Sequence, residues 1–126
     1  MPAIERGDEW IWTIRQREDP STVIGLISLR KNENENRGFW IDPRWQRRGL
    51  MTEACDAVTE FWFETLKHRV MRVKKAIANE GSRRISEKQG MRIIFTSESD
   101  YVSGRLPSET WGITADEWRA RKALKP

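Results

Sequence analysis

One cysteine, one histidine and one tyrosine occur in 126 residues, and each scarcity closes off a class of function. Cys55 has no partner for an internal disulfide, which suits a reducing compartment. With His68 as the sole imidazole there is no Cys/His cluster of ligand spacing, so no metal site is expected. No apolar run approaches the ~20 residues that cross a bilayer. The N-terminus lacks the basic, apolar and small-residue succession of a secretory leader. The expectation is a cytoplasmic protein that does not enter a membrane. No repeat, low-complexity block or linker interrupts the chain, so residues 1–126 are read as one domain.

Charge and tryptophan are abundant. Charged residues make up 33% of the chain, with a net charge of +4 and a pI near 9.6. That is mildly basic, short of a dedicated nucleic-acid coat, and no RNA- or DNA-binding signature accompanies it. Seven tryptophans supply apolar area that the aliphatic content alone would not.

The pattern of apolar residues predicts the elements. "EWIWTIRQR" (9–17) and "VIGLISLRK" (23–31) read as two strands joined by a turn at Pro20, and "RGFWID" (37–42) as a third stopped by Pro43. From Leu50 the period changes: Met51, Ala54, Cys55, Val58, Phe61, Trp62 and Leu66 recur at helical spacing, with Lys67 closing the helix. "RVMRVKKAIA" (69–78) is a strand, and strand–helix–strand suggests a locally parallel pair. Residues 79–90 form a short helix, capped by Asn79 or Ser82 and left through Gly90. Strands follow at 91–102 and 108–113 around an "SGRLP" loop, and a capping box from Thr114 to Glu117 opens a last helix at 114–122. The order β-β-β-α-β-α-β-β-α is a mixed α/β (α+β) sheet.

The chemistry-bearing stretch is "WIDPRWQRRGLMTEA" (40–54). It joins a strand to a helix N-terminus, with Gly49 allowing close backbone approach and Arg44, Arg47 and Arg48 around it. Backbone N–H groups over 47–52 lack helical acceptors and carry the positive end of the helix dipole, an arrangement suited to a diphosphate. A solvated basic turn has the same composition. Elsewhere, Cys55 and the tryptophans at 10, 12, 62 and 118 read as packing, His68 as a helix-end residue, and Lys74-Lys75 as a solvated strand face. Trp40 and Trp45 flank the basic turn.

"GFWIDPRWQRRGLMTEA" resembles the acyl-CoA-binding motif of the GNAT N-acetyltransferases, Q/R-x-x-G-x-G/A, with Met51 at its last position. "NEGSRRISEKQGMR" (79–92) resembles the N-x-x-S-x-x-x-x-x-K-x-G-F segment of the RimJ/RimL-like branch, with Met91 for Phe, and "DYVSGRLPSETWGITADEWRAR" its C-terminal strand pair and helix. The resemblance implies a GNAT-like sheet whose strand at 37–42 splays from that at 70–78, and acetyl-CoA as cofactor, its pantetheine lying in the gap like an added strand. It implies that Ile41 and Asp42 lie along the pantetheine, and that Gln46, Arg47, Arg48, Gly49, Leu50, Met51 and Thr52 hold the pyrophosphate. Asn79 would bond the pantetheine or position the acceptor, and Arg83 or Arg84 would reach the adenosine 3′-phosphate. Ser82 is the implied proton donor to the departing thiolate and Asp100 the implied base. Tyr101 is an alternative acid. A position often Glu in related enzymes falls at Asn36, beside Glu35.

The resemblance also implies a strand and two helices ahead of the meander, where only "MPAIERGDE" stands. An N-terminally shortened GNAT domain would expose a sheet edge and apolar surface, and a homodimer would cover them. Three readings follow. The first is transfer of acetyl from acetyl-CoA to a primary amine, a protein N-terminus or a small amine. The second is a CoA-binding remnant acting as an interaction module. The third is a basic nucleic-acid-binding domain.

Overall fold

The computed structural model describes residues 3–5, 9–46 and 49–124. Among the described residues seven strands and three α-helices follow one another: β1 (Ala3–Glu5), β2 (Glu9–Arg15), β3 (Val23–Arg30), β4 (Arg37–Ile41), α1 (Leu50–Glu60), β5 (Val70–Ala76), α2 (Glu80–Lys88), β6 (Arg92–Tyr101), β7 (Gly104–Thr114) and α3 (Ala115–Leu124). The expected order stands, with β1 added in front. β1 pairs with β2 antiparallel, Ile4 opposite Ile11. Three positions separate these two strands, so β1 runs into the meander without the two helices that the resemblance implies between them.

The strands form two antiparallel sheets, ordered β1-β2-β3-β4 and β5-β7-β6. The parallel pair expected of β4 and β5 is not a ladder. The strands meet at one point, where the Asn36 N–H donates to the Arg72 carbonyl (2.7 Å) and the Arg72 N–H donates to Asn36 Oδ1 (2.8 Å). Asn36 is buried, and its amide also donates to the carbonyls of Arg30 (3.1 Å) and Asn32 (2.6 Å). One side chain thus clasps the sheets at the start of β4. Beyond the clasp β4 and β5 share no ladder pairing, and a cleft opens between them.

The core lies where both sheets meet the helices. β2 turns Trp10 and Trp12 inward at alternate positions, β3 contributes Ile27 and Leu29, β5 Met71 and Val73, and β7 Trp111 and Ile113. α1 presents Met51, Cys55 and Val58 on one face, as its period requires. Tryptophan does much of the filling. Trp12 meets the Phe61 ring edge-on at 5.4 Å, Trp62 Nε1 donates to the Val70 carbonyl (2.9 Å), and Trp118 Nε1 donates to Glu60 (3.3 Å). His68 stacks on Trp62 with centroids 3.8 Å apart.

Three local expectations change. The first long helix does not run regularly to Lys67. After Glu60 the chain takes a wider π turn over Phe61–Thr65, and Lys67 then sits at φ 61°, ending the helix by a left-handed residue instead of by its charge. The "SGRLP" loop is largely strand, since β7 begins at Gly104. Pro107 lies just past the end of the β5 ladder, which stops at Ser108, and its carbonyl accepts from the Ile77 N–H (3.0 Å). The Lys74-Lys75 run is not a solvated face: Lys75 is 5% exposed, because the alternation of β5 sends it under α2.

Candidate active site

The turn after β4 is built by short-range bonds. Asp42 caps a single 3-10 turn over Pro43–Trp45, accepting from the Arg44 N–H (2.9 Å) and from the Arg44 guanidinium (2.8 Å). Those bonds hold the Asp42 carboxyl below the usual carboxylate range. Its N–H donates to the Ile24 carbonyl (2.7 Å) and its own carbonyl accepts from Trp45 (2.8 Å). Asp42 is therefore spent on the turn and on β3, and it does not line the adjoining cavity; Arg44 is neutralised with it. Arg47 and Arg48 lie outside the described residues.

Gly49 follows at φ 76° and takes the N-cap position of α1. A left-handed residue here turns the chain sharply into the helix, and glycine adopts it without strain. A Cβ at Gly49 would meet nothing within 4 Å, so the backbone faces open space. The Glu53 N–H is bonded to the Gly49 carbonyl (3.0 Å), the first i→i−4 bond of the helix, so the N–H groups of Leu50, Met51 and Thr52 have no helical acceptor. Among the described residues no side chain caps them.

That helix start faces a cavity of about 490 Å³ between the N-terminal ends of α1 and α2. Ile41, Gln46, Gly49, Leu50, Met51, Thr52, Asn79 and Arg84, all expected site residues, line it together with Trp45. Asn79 caps α2, its Oδ1 accepting from the Ser82 N–H (3.2 Å), which decides between the two expected caps. Arg83 and Arg84 part company. Arg83 turns to Glu109 on β7 (2.8 Å), whereas Arg84 faces the cavity.

A second cavity of about 220 Å³ occupies the splay itself. Gly38 and Phe39 of β4, residues 73–76 of β5, Asn79, Ser82, Glu35 and Tyr101 line it. Asn79 borders both cavities, so they adjoin across the start of α2. Ser82 is in place here, 7% exposed. Tyr101 is anchored by a 2.6 Å hydrogen bond between its hydroxyl and that of Ser108. Asp100 is not brought to this site. Alternation along β6 sends its carboxylate outward, where it is 83% exposed and paired with Arg105 (3.0 Å).

Two buried cations line the splay cavity, and neither was expected there from the sequence. Arg37 donates through Nη1 to Gln89 (2.6 Å) and Thr59 (3.0 Å), and Gln89 donates to Asp56 (2.8 Å). Its Nε and Nη2 are buried without a hydrogen-bond partner among the described residues. Lys75 Nζ donates to the Ser82 carbonyl (2.7 Å) and to Ser86 Oγ (2.5 Å), and sits 5.9 Å from the centre of the Trp111 ring. Burial above all, and the Arg37 charge next, push the Lys75 ammonium down from 10.5 to about 7. The available signal was the strand period: Lys75 shares parity with Met71 and Val73, both inward. Burial raises the Cys55 thiol, which suits packing and not a nucleophile. Among the described residues no group of acidic, histidine or cysteine side chains forms a metal site, and no helix is long and apolar enough to cross a membrane.

This architecture has relatives. The family model for the acetyltransferase (GNAT) domain matches residues 2–92. YdaF of Bacillus subtilis (strain 168), named as a ribosomal N-acetyltransferase, is 32% identical over 73 residues, covering 55% of this chain and 40% of that protein. The chain thus matches less than half the length of that curated relative. Among solved structures, the spermidine/spermine N-acetyltransferase SpeG from Vibrio cholerae superposes with a TM-score of 0.78 at 14% identity, covering 91% of this chain and 72% of that one. A ribosomal-protein-S5-alanine acetyltransferase from Vibrio fischeri gives 0.76 at 15% identity, covering 94% and 64%. At those identities the structural likeness speaks for the fold. With the family match spanning most of its length and the splayed sheet in place, the chain belongs to the GNAT acetyltransferase family.

Proposed function

We propose that this chain binds acetyl-CoA across the two adjoining cavities and transfers its acetyl group to a primary amine at the splay. The observation that carries the reading is the continuity at Asn79: a cavity walled by an uncapped helix start opens beside a cleft between two unpaired strands. The free N–H groups of Leu50–Thr52 and the open backbone at Gly49 suit a pyrophosphate. Arg84 at the far wall suits a further phosphate. Ile41 supplies an apolar wall for the pantetheine arm, and the unpaired inner edges of β4 and β5 offer main-chain partners to its amides. When bound, acetyl-CoA would supply the activated acyl group.

The chain's own residues would do the rest. The amine must lose a proton to attack, and Glu35 is the carboxylate lining the splay cavity, so it replaces Asp100 as the base of this proposal. Ser82 and Tyr101 are the hydroxyls there that could protonate the departing thiolate. A backbone N–H of β4 at Gly38 or Phe39 is the donor available to the developing oxyanion. The acceptors to try are those of the family's relatives: peptides with N-terminal alanine or serine, spermidine, and small primary amines. The test follows free thiol released from acetyl-CoA with each. Release above the blank with at least one amine, together with acetylated product by mass spectrometry, is the expected result. Binding of acetyl-CoA without release to any amine would overturn transfer and leave a CoA-binding module.

A further inference from the structure

The face of the first sheet that turns away from the core carries a further cavity, of about 280 Å³. The register builds it. Across β2, β3 and β4 the outward residues stand in rows: Thr13, Leu26 and Trp40 in one, Ile11, Ser28 and Gly38 in the next, and Glu9 beside Arg30 in a third. The middle row ends in two small residues, so a depression lies over Ser28 and Gly38. Ile11 walls it on one side, Leu26 and Trp40 on another. Leu26 is 41% exposed and Trp40 53%. A concave site with an apolar wall and an open indole suits an apolar group. The rows lie about 7 Å apart, and Glu9 and Arg30 close the far end with charge. Between them there is room for one ring and not for an extended chain.

The depression adjoins the splay. Gly38 and Phe39 line both cavities, so β4 is their shared wall. The Phe39 side chain packs toward the core and Gly38 has none, which leaves bare main chain between the two. Charge then decides what can lie across them. Among the described residues Glu35 and Glu9 are the carboxylates lining the two cavities, against four cations, Arg30, Arg37, Lys74 and Lys75. A single amine beside Glu35 is matched. A polyamine would carry its further ammonium groups into like charge. We infer that the acceptor is an aryl-alkyl monoamine, with its nitrogen at the splay near Glu35 and its ring over Ser28 and Gly38 against Trp40 and Leu26. This rests on the transfer reading above and names the substrate class of that site.

The test compares 2-phenylethylamine, ethylamine and spermidine. Free-thiol release from acetyl-CoA gives kcat/KM for each, and calorimetry gives the binding of each to the protein held with saturating CoA. 2-Phenylethylamine should lead the other two by about tenfold or more in kcat/KM, chiefly through KM, and by a similar factor in affinity. Ser28→Leu fills the depression and Trp40→Ala removes its wall; both side chains face outward, and circular dichroism checks the fold. Each should reduce the preference for 2-phenylethylamine over ethylamine by about tenfold. Thiol release without that preference, with spermidine ahead, or with a preference that survives both substitutions would overturn the inference and leave transfer standing. Binding of 2-phenylethylamine that both substitutions abolish, with no thiol released to any amine, would support the pocket and overturn transfer. Neither release nor binding with any of the three amines would overturn both.

Discussion

Replacing Lys75 by methionine should abolish most of the pH dependence of stability above neutrality. In the fold the Lys75 ammonium is pushed down to about 7, against 10.5 in the ordinary case. Between those values the unfolded chain holds a proton that the folded chain has released, so stability rises with pH through this window. Each pH unit inside the window adds somewhat more than about 1 kcal/mol, and the whole interval a few kcal/mol. Below about pH 7 both states are protonated and the folded state carries the full cost of a charge buried beside Arg37. Methionine keeps the stem that packs near Trp111 and gives up the bonds to Ser82 and Ser86. Lys75→Met should therefore be the more stable protein at pH 6.5 and lose that advantage by pH 10. Urea unfolding at half-unit steps from pH 6.5 to 10 measures both curves; the exposed groups are common to the two proteins and cancel in the difference. Parallel curves would refute the reasoning and would mean that Lys75 stays charged in the fold.

Further outcomes follow from the same geometry. Asn36→Ala removes the clasp between the sheets and strands the Arg72 N–H, and should cost roughly 2–3 kcal/mol in urea unfolding. Gln89→Leu severs the link from Arg37 to Asp56 and leaves a buried guanidinium with Thr59 alone. A loss of about 3 kcal/mol is expected, and a change below about 1 kcal/mol would show that Arg37 finds other partners. In an acetyl-transfer assay Glu35→Gln should lower kcat by about 100-fold or more while Asp100→Asn leaves it unchanged; the reverse ranking would return the base to Asp100.

Much of this was legible from local pattern. Alternation in "EWIWTIRQR" identified Trp10 and Trp12 as inward, helical spacing picked out Met51, Cys55 and Val58, and Thr114 and Glu117 form the reciprocal cap their spacing promised (2.9 and 3.1 Å). The cavity at α1 was legible for a related reason, since glycine at the N-cap and unsatisfied N–H groups are properties of a few adjacent residues. What was hidden depends on residues distant in sequence. The splay rests on Asn36 meeting Arg72, and no periodicity reveals a side chain that substitutes for a ladder. Asp42 looked available for a cofactor until the turn claimed its carboxylate for Arg44. The Lys74-Lys75 pair looked solvated because charge argued against burial more loudly than parity argued for it, and only α2 overhead supplies the carbonyl and hydroxyl that make Lys75 tolerable inside. The extra strand at Ala3–Glu5 lay in a segment too short for a period to show.

The most direct test of the central claim is calorimetric titration of acetyl-CoA into the protein, beside the Gly49→Asp variant. Aspartate there would be strained at φ 76° and would set a carboxylate among the free N–H groups of α1. One saturable site per chain is expected in the parent and its loss in the variant, with the urea midpoint of the variant lowered only slightly. No binding by the parent, or equal binding by both proteins, would contradict it.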